Sequence, residues 1–228
     1  MSICTDLNPN WADKLSAIGT ISAVILTLLI SVISIITRWL KRPILRMDIN
    51  LKPPECQKTE VVIDHKNLDA WWFRLHVENT GNSNATGVEV TIDRVYQMKD
   101  DDWQIYARFL PSSLLWTHHN DPILSNLLPG TFKNIDFGYI PLWPEAFALF
   151  EDNRMIPINR KENRFTVLLS TQPILEYNTL SPGKYKFAMT VGAKNCRPKQ
   201  YYFVLTFVKV WESDEDLVLG KSINISKI

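Results

Sequence analysis

Residues 15–37 read LSAIGTISAVILTLLISVISIIT and hold no charged side chain. A mostly apolar run of about 18 or more residues crosses a hydrocarbon core roughly 30 Å thick, at about 1.5 Å rise per helical residue. The stretch is read as a single transmembrane α-helix. It divides the chain into a short extracytoplasmic segment 1–14, the helix 15–37, a basic juxtamembrane linker 38–43 and a domain 44–228.

A cleaved signal peptide would have a positive start, a shorter apolar core and a small-x-small cleavage site. Here the preceding segment carries Asp6, Asp13 and only Lys14, and TRWLKRP follows the run. An uncleaved anchor is expected. Arg38, Lys41, Arg42 and Arg46 lie just after it. Positive charge stays on the cytoplasmic side, so the N-terminus is expected outside and the C-terminal domain in the cytoplasm. Trp11 and Trp39 bracket the run, and indoles favour the headgroup level. Trp11, Trp39, Arg38, Lys41 and Arg42 are the expected interface anchors.

The run is not uniformly greasy. Ser16, Thr20, Ala23, Thr27, Ser31 and Ser34 recur at helical spacing and fall within an arc of roughly 80°. Gly19 and Ala23 add a small-xxx-small pair. Such a stripe lets two helices approach closely and bond across the contact. It could instead line a narrow pore. Equally, the hydroxyls can bond their own carbonyls four residues back and do nothing more.

Residues 44–228 leave about 185 positions, enough for one good-sized domain. The formal charge of the whole chain is +1, which argues against a dedicated nucleic-acid binder. The basic linker is explained by the bilayer and can also touch anionic lipid. Cys4, Cys56 and Cys196 form no disulfide framework and no Cys-x-x-Cys pair.

After Pro43 the sequence alternates in the period of half-buried strands. Leu45, Met47, Ile49 and Leu51 share one face. So do Trp71, Phe73, Leu75 and Val77, followed by the turn ENTGNSN and by Val88, Val90 and Ile92. Between these stretches, a short strand is expected near 61–63. Lys99-Asp100-Asp101-Asp102 reads as a solvated turn, 103–110 as a strand and 111–130 as a long connection. Phe132, Ile135 and Phe137 suggest another strand, and 141–150 a short helix opening near Pro144. FTVLLS at 165–170 suits a buried strand. Two patterned strands, 184–191 and 201–210, flank a hairpin loop GAKNCRPKQ, and the tail WESDEDLVLGKSINISKI caps the domain. About seven to nine strands with turns between them point to a mainly β fold: an antiparallel β-sandwich behind one helix.

The pattern strand–NTGN–ATGVEV–strand resembles immunoglobulin-like modules of cell-surface and archaeal type, in which such a turn joins adjacent strands. The segment SPG-KYKF followed by CRP resembles the closing hairpin of bacterial membrane-tethered proteins of this layout. The whole layout is similar to uncharacterised prokaryotic single-pass membrane proteins and to small membrane effectors of antiviral defence. These resemblances imply a fold and carry no residue roles.

The chain has no Gly-rich phosphate loop, no G-x-S-x-G and no H-E-x-x-H. His118-His119 is the most tempting metal pair, but zinc wants at least three ligands. Trp71, Trp72 and Trp116 could form an aromatic patch or fill a sandwich core. No catalytic residue, metal or cofactor is expected, and the chain is not expected to be an enzyme. The first functional reading is an anchored module that self-associates through its helix, binds a cytoplasmic protein and holds it at the bilayer. The second is an oligomerising, pore-forming or depolarising effector. The third is a membrane-bound sensor or enzyme with a pocket in 111–130 and 141–163.

Overall fold

The computed structural model describes residues 11–63, 66–107, 109–119, 121–142, 149–151, 154–156, 164–171, 178–208 and 222–228. It separates into two compact units, Met1–Arg42 and Pro43–Ile228. The first holds helix α1 (Trp11–Leu40). Its span Asp13–Thr37, 25 residues, is long and apolar enough to cross a membrane. Every described side chain on it is exposed, as an apolar helix must be if lipid is to be its solvent. The helix runs several residues beyond the apolar run at each end, because Trp11 to Lys14 and Arg38 to Leu40 contain no breaker; Pro43 comes only after its end.

The second unit is built from strands β1 (Leu45–Ile49), β2 (Cys56–Ile63), β3 (Lys66–Asn79), β4 (Ala85–Lys99), β5 (Asp102–Ile105), β6 (Ser112–Ser113), β7 (Leu115–Trp116), β8 (Ile123–Leu127) and β9 (Phe132–Pro141). There follow β10 (Leu149–Glu151), β11 (Arg154–Ile156), β12 (Phe165–Val167), β13 (Thr179–Leu180), β14 (Gly183–Ala193), β15 (Cys196–Phe207) and β16 (Ile223–Lys227). Two seven-stranded antiparallel sheets form. One runs β1-β3-β9-β12-β13, with β2 also on β3 and β7 on β9. The other runs β16-β15-β14-β4-β5, with β6 and β8 also on β4. Among the described residues β10 and β11 pair only with each other. The fold is therefore a mainly β, sandwich-like domain behind one helix.

The two inner faces meet through aromatic rings. Phe137 of β9 stands edge-on to Phe187 of β14 at 5.0 Å, and Phe165 of β12 lies 6.3 Å from Phe207 of β15. Phe73, Phe137, Phe165, Phe187 and Phe203 are fully buried. Tilted and edge-on rings add to the gain from their buried area. Gly138 makes room for this contact: a Cβ there would lie 2.5 Å from both the Phe165 ring and the Thr166 carbonyl. Leu45, Met47, Phe73, Leu75, Val77, Val88, Val90 and Ile92 point into the core, as their alternation predicts. The NTGN turn leads from β3 in one sheet to β4 in the other, so the strands it joins are neighbours in sequence and not in a ladder.

Several expectations are corrected. The short strand at 61–63 is part of an eight-residue edge strand, β2, whose Gln57-Lys58-Thr59-Glu60 stretch hides the pattern because its outer side is wet. The strand at 103–110 ends at Ile105. The connection 111–130 contains β6, β7 and β8, which are too short to show a period. The loop GAKNCRPKQ is mostly strand: Ala193 pairs with Cys196 and only Lys194-Asn195 turn. Pro198 is tolerated opposite the register shift between Val191 and Ala193, where β16 does not reach. The capping tail contributes β16, paired to β15 over Phe203 to Phe207. In the expected helix at 141–150, Pro141 closes β9 and Leu149-Phe150 belong to β10; residues 143–148 lie outside the described ones. The described residues alone hold sixteen strands, against the seven to nine expected, because β4 serves the short partners β5, β6 and β8, and β9 serves β7 and β12.

Candidate functional site

Helix α1 brings Ser16, Thr20, Ala23, Thr27, Ser31 and Ser34 onto one exposed side, since a regular helix preserves their spacing. The hydroxyls turn inward along their own helix. Thr20 Oγ1 donates to the Ser16 carbonyl at 2.9 Å, Thr27 Oγ1 to Ala23 at 2.8 Å and Ser31 Oγ to Thr27 at 2.8 Å. Below them Thr37 Oγ1 donates to Ser34 at 3.1 Å. The donors of Thr20, Thr27 and Ser31 are therefore spent within the helix. What the stripe offers a neighbour is small size and acceptor lone pairs. Nothing lies within 4 Å of a Cβ added at Gly19. Close packing between helices, rather than a hydrogen-bonded zipper, is what such a surface can provide.

The expected interface residues sit at the two ends. Trp11 opens α1 with its ring 72 % exposed. Arg38 and Trp39 occupy the last turn. Lys41 follows, its N–H still bonded to the Thr37 carbonyl at 2.9 Å, and Arg42 comes next.

In the second unit the chain is tied down as soon as it arrives. Asn79, at the end of β3, is completely buried. Its Oδ1 accepts from the N–H of Ile44 at 3.2 Å and of Gly81 at 3.0 Å. Its Nδ2 donates to the carbonyls of Ser83 at 2.8 Å and Leu127 at 2.9 Å. Thr80 N–H adds a bond to the Ile44 carbonyl at 2.8 Å. One amide thus joins the start of β1, the NTGN turn and the end of β8.

The edge of β1 is then sealed by side chains from the far end of the sequence. Tyr201 Oη donates to the Leu45 carbonyl at 3.1 Å, and Lys227 Nζ to the Met47 carbonyl at 3.0 Å. Lys227 also lies 4.8 Å over the Tyr201 ring, with Lys199 at 5.0 Å. Satisfied carbonyls make this edge a poor template for another strand.

A buried charged pair sits on the outer face of the β1 sheet. Arg74 Nε meets Asp136 Oδ1 at 3.1 Å, Arg74 Nη1 donates to the Pro54 carbonyl at 3.1 Å, and Thr117 Oγ1 donates to Asp136 at 2.8 Å. His76 Nδ1 lies 3.3 Å from Glu55 Oε1, and its ring stacks on Phe132 at 4.2 Å. His118 and His119 are exposed in a turn, with His118 at φ 67°. Among the described residues no group of three His, Cys, Asp or Glu could hold a metal. Trp71 and Trp116 fill the core, and Trp72 stacks on Tyr139 at 5.2 Å on the outer face. An open groove of about 380 Å³ lies along Gln97, Lys99, Gln104, Ile105, Tyr106 and Ala107. None of these lining residues belongs to the 111–130 connection, whose Leu114, Trp116 and Leu127 are core residues.

Burial pushes the Cys56 thiol up from 9.0 to about 12, partly opposed by the Arg74 cation. Burial, then the neighbouring Tyr106, push Tyr185 from 10.0 to about 12, with the Gln97 bond opposing. Both groups hold their protons more tightly folded than unfolded. Their contribution is whole below their unfolded values and is lost as pH rises through the folded ones. The unfolding temperature should therefore fall between pH 9.0 and about 12. Tyr185→Phe should flatten that fall. A thiol reagent at pH 8 should label half-exposed Cys196 and spare Cys56 until the chain is denatured.

Sequence reasoning missed Asn79, Tyr201, Lys227 and the Arg74–Asp136 pair as organising residues. For Asn79 the turn signal was visible, but its burial depends on Leu127, which is 48 positions away. No family model, curated protein or solved structure matches the chain.

Proposed function

We propose that this chain is a single-pass membrane protein whose β domain stands on the cytoplasmic side, binds a protein there and keeps it at the bilayer, while the helix stripe brings copies together. The observation that carries the reading is α1: a 25-residue span, Asp13–Thr37, long and apolar enough to cross a membrane, followed by a separate unit with a hydrophobic core of its own. Orientation rests on Arg38, Lys41, Arg42 and Arg46 outnumbering Lys14. Self-association rests on the small residues of the stripe, with packing as the main force because the central hydroxyls of Thr20, Thr27 and Ser31 are bonded within the helix. The immunoglobulin-like character of the domain belongs to this reading as well.

Two arms test it. Protease added to intact cells should spare the β domain, and release of the domain from outside would overturn the orientation. In detergent, the variant Thr20→Leu/Thr27→Leu/Ser31→Leu should weaken dimerisation of the full chain about three- to tenfold, within the modest range of intramembrane packing gains. An unchanged dimer would remove the stripe from the account.

A further inference from the structure

The β1 edge is sealed; among the described residues no backbone or side chain closes the β2 edge in the same way. Among the described residues β2 pairs with β3 alone, and at eight residues it is the longest edge strand in either sheet. Glu55, just before it, accepts from the Arg74 N–H at 2.8 Å and so stands in a bonded pair with Arg74. Bonded positions alternate along an antiparallel ladder. Residues 57, 59 and 61 therefore aim their backbone groups at β3, and Lys58, Glu60 and Val62 aim theirs away. All three are exposed, Val62 by 68 %.

We propose that this edge is the docking site for β2 of a second copy of the chain, paired antiparallel about Thr59, so that Lys58 of each copy stands opposite Glu60 of the other. Outward positions must face outward positions for a ladder to form. That leaves only a few two-fold centres. A centre at Glu60 sets Glu against Glu, and one at Lys58 sets Lys against Lys. Like charges directly opposite oppose pairing, and opposite charges favour it. The centre at Thr59 alone turns both charges to advantage, in two equivalent ion pairs. Charges on an edge ordinarily repel a stray strand. Two opposite charges two positions apart do so for most strands and invite an antiparallel copy. The arrangement is isologous and closes at two copies. Lys58 lies 3.1 Å from Asp69, and Glu60 Oε2 accepts from Asn67 Nδ2 at 3.2 Å, within the same chain; these contacts hold both side chains over the strand. This contact is separate from the helix stripe, and either can hold without the other.

Cysteine cross-linking reads the register directly. In the full chain with Cys4→Ser and Cys196→Ser, Cys56 remains, buried and unreactive. Thr59→Cys would face its twin in a non-bonded pair with Cα atoms about 4.5 Å apart, inside the span of a disulfide. Mild oxidation in native membranes should give the disulfide dimer. Glu60→Cys, out of register with its twin by two residues, should give at least about fivefold less. Adding Lys58→Glu to Thr59→Cys should cut the yield about fivefold, and adding Glu60→Lys as well should restore it. The proposal is overturned by no cross-link at 59, by a cross-link at 60 as strong as at 59, or by indifference to both charge reversals. An unchanged unfolding temperature of the Lys58→Glu variant separates loss of pairing from loss of fold. Association through the helix alone gives no register at 59, so failure here leaves the stripe reading intact.

Discussion

Asn79→Ala should lower the stability of the β domain by about 3–4 kcal/mol. The side chain is fully buried and makes four hydrogen bonds, to Ile44 and Gly81 through Oδ1 and to Ser83 and Leu127 through Nδ2. Truncation leaves all four backbone groups without this partner. A buried donor or acceptor left unsatisfied costs about 1–3 kcal/mol. Part of that is recovered where the turn opens to water. The unfolding temperature of the full chain in detergent should drop by roughly 10 °C, at about 2–4 °C per kcal/mol for a domain of this size. Asn79→Asp keeps the acceptor but turns a carboxylate oxygen towards two carbonyls. It should be no milder at neutral pH. A loss below about 1 kcal/mol for either variant would show that the amide does not organise these three segments.

Asp136→Ala should cost about 3 kcal/mol, because it strands a cation. Arg74 is 8 % exposed, and without Asp136 its described hydrogen-bond partner is the Pro54 carbonyl, with the Trp72 ring 5.9 Å away. Removing one member of a buried pair leaves the other desolvated and unpaired, at about 3–5 kcal/mol. The partial exposure of Asp136 argues for the low end. The double variant Arg74→Met/Asp136→Leu removes both charges and should return to within about 1 kcal/mol of the parent. Denaturant unfolding of the two variants side by side checks this. A double variant as unstable as the single one would mean that the pair contributes through its geometry and not through its charge balance.

The parts of the fold that were legible in the sequence are those where one side of an element is dry. Helix α1 shows because its uncharged, mostly apolar run is unbroken over residues 15–37. The strands carrying Leu45 to Ile49, Trp71 to Val77 and Val88 to Ile92 show because alternate residues face the core. Strand β2 does not, since Lys58, Glu60 and Val62 are all exposed. The short partners of β4, namely β5, β6 and β8 with two to five residues each, are too brief for any period. The stripe was visible as composition. Its hydroxyls could equally have pointed at a neighbour, and only the Thr20, Thr27 and Ser31 geometry places their donors on the helix itself. Lys227 and Tyr201 act on β1 from 180 and 156 positions away. No window of sequence holds both ends of such a bond.

That separation sets an order of events during synthesis. β1 leaves the ribosome soon after the anchor, yet the lysine that caps its Met47 carbonyl is made 180 residues later. Contacts so remote form late, because a long loop must close first. On the membrane reading proposed above, the insertion machinery would meet the anchor before Lys227 has been made to cover the β1 flank. Delivery to the bilayer would then be decided on an unfinished nascent chain, before the β1 flank can be closed.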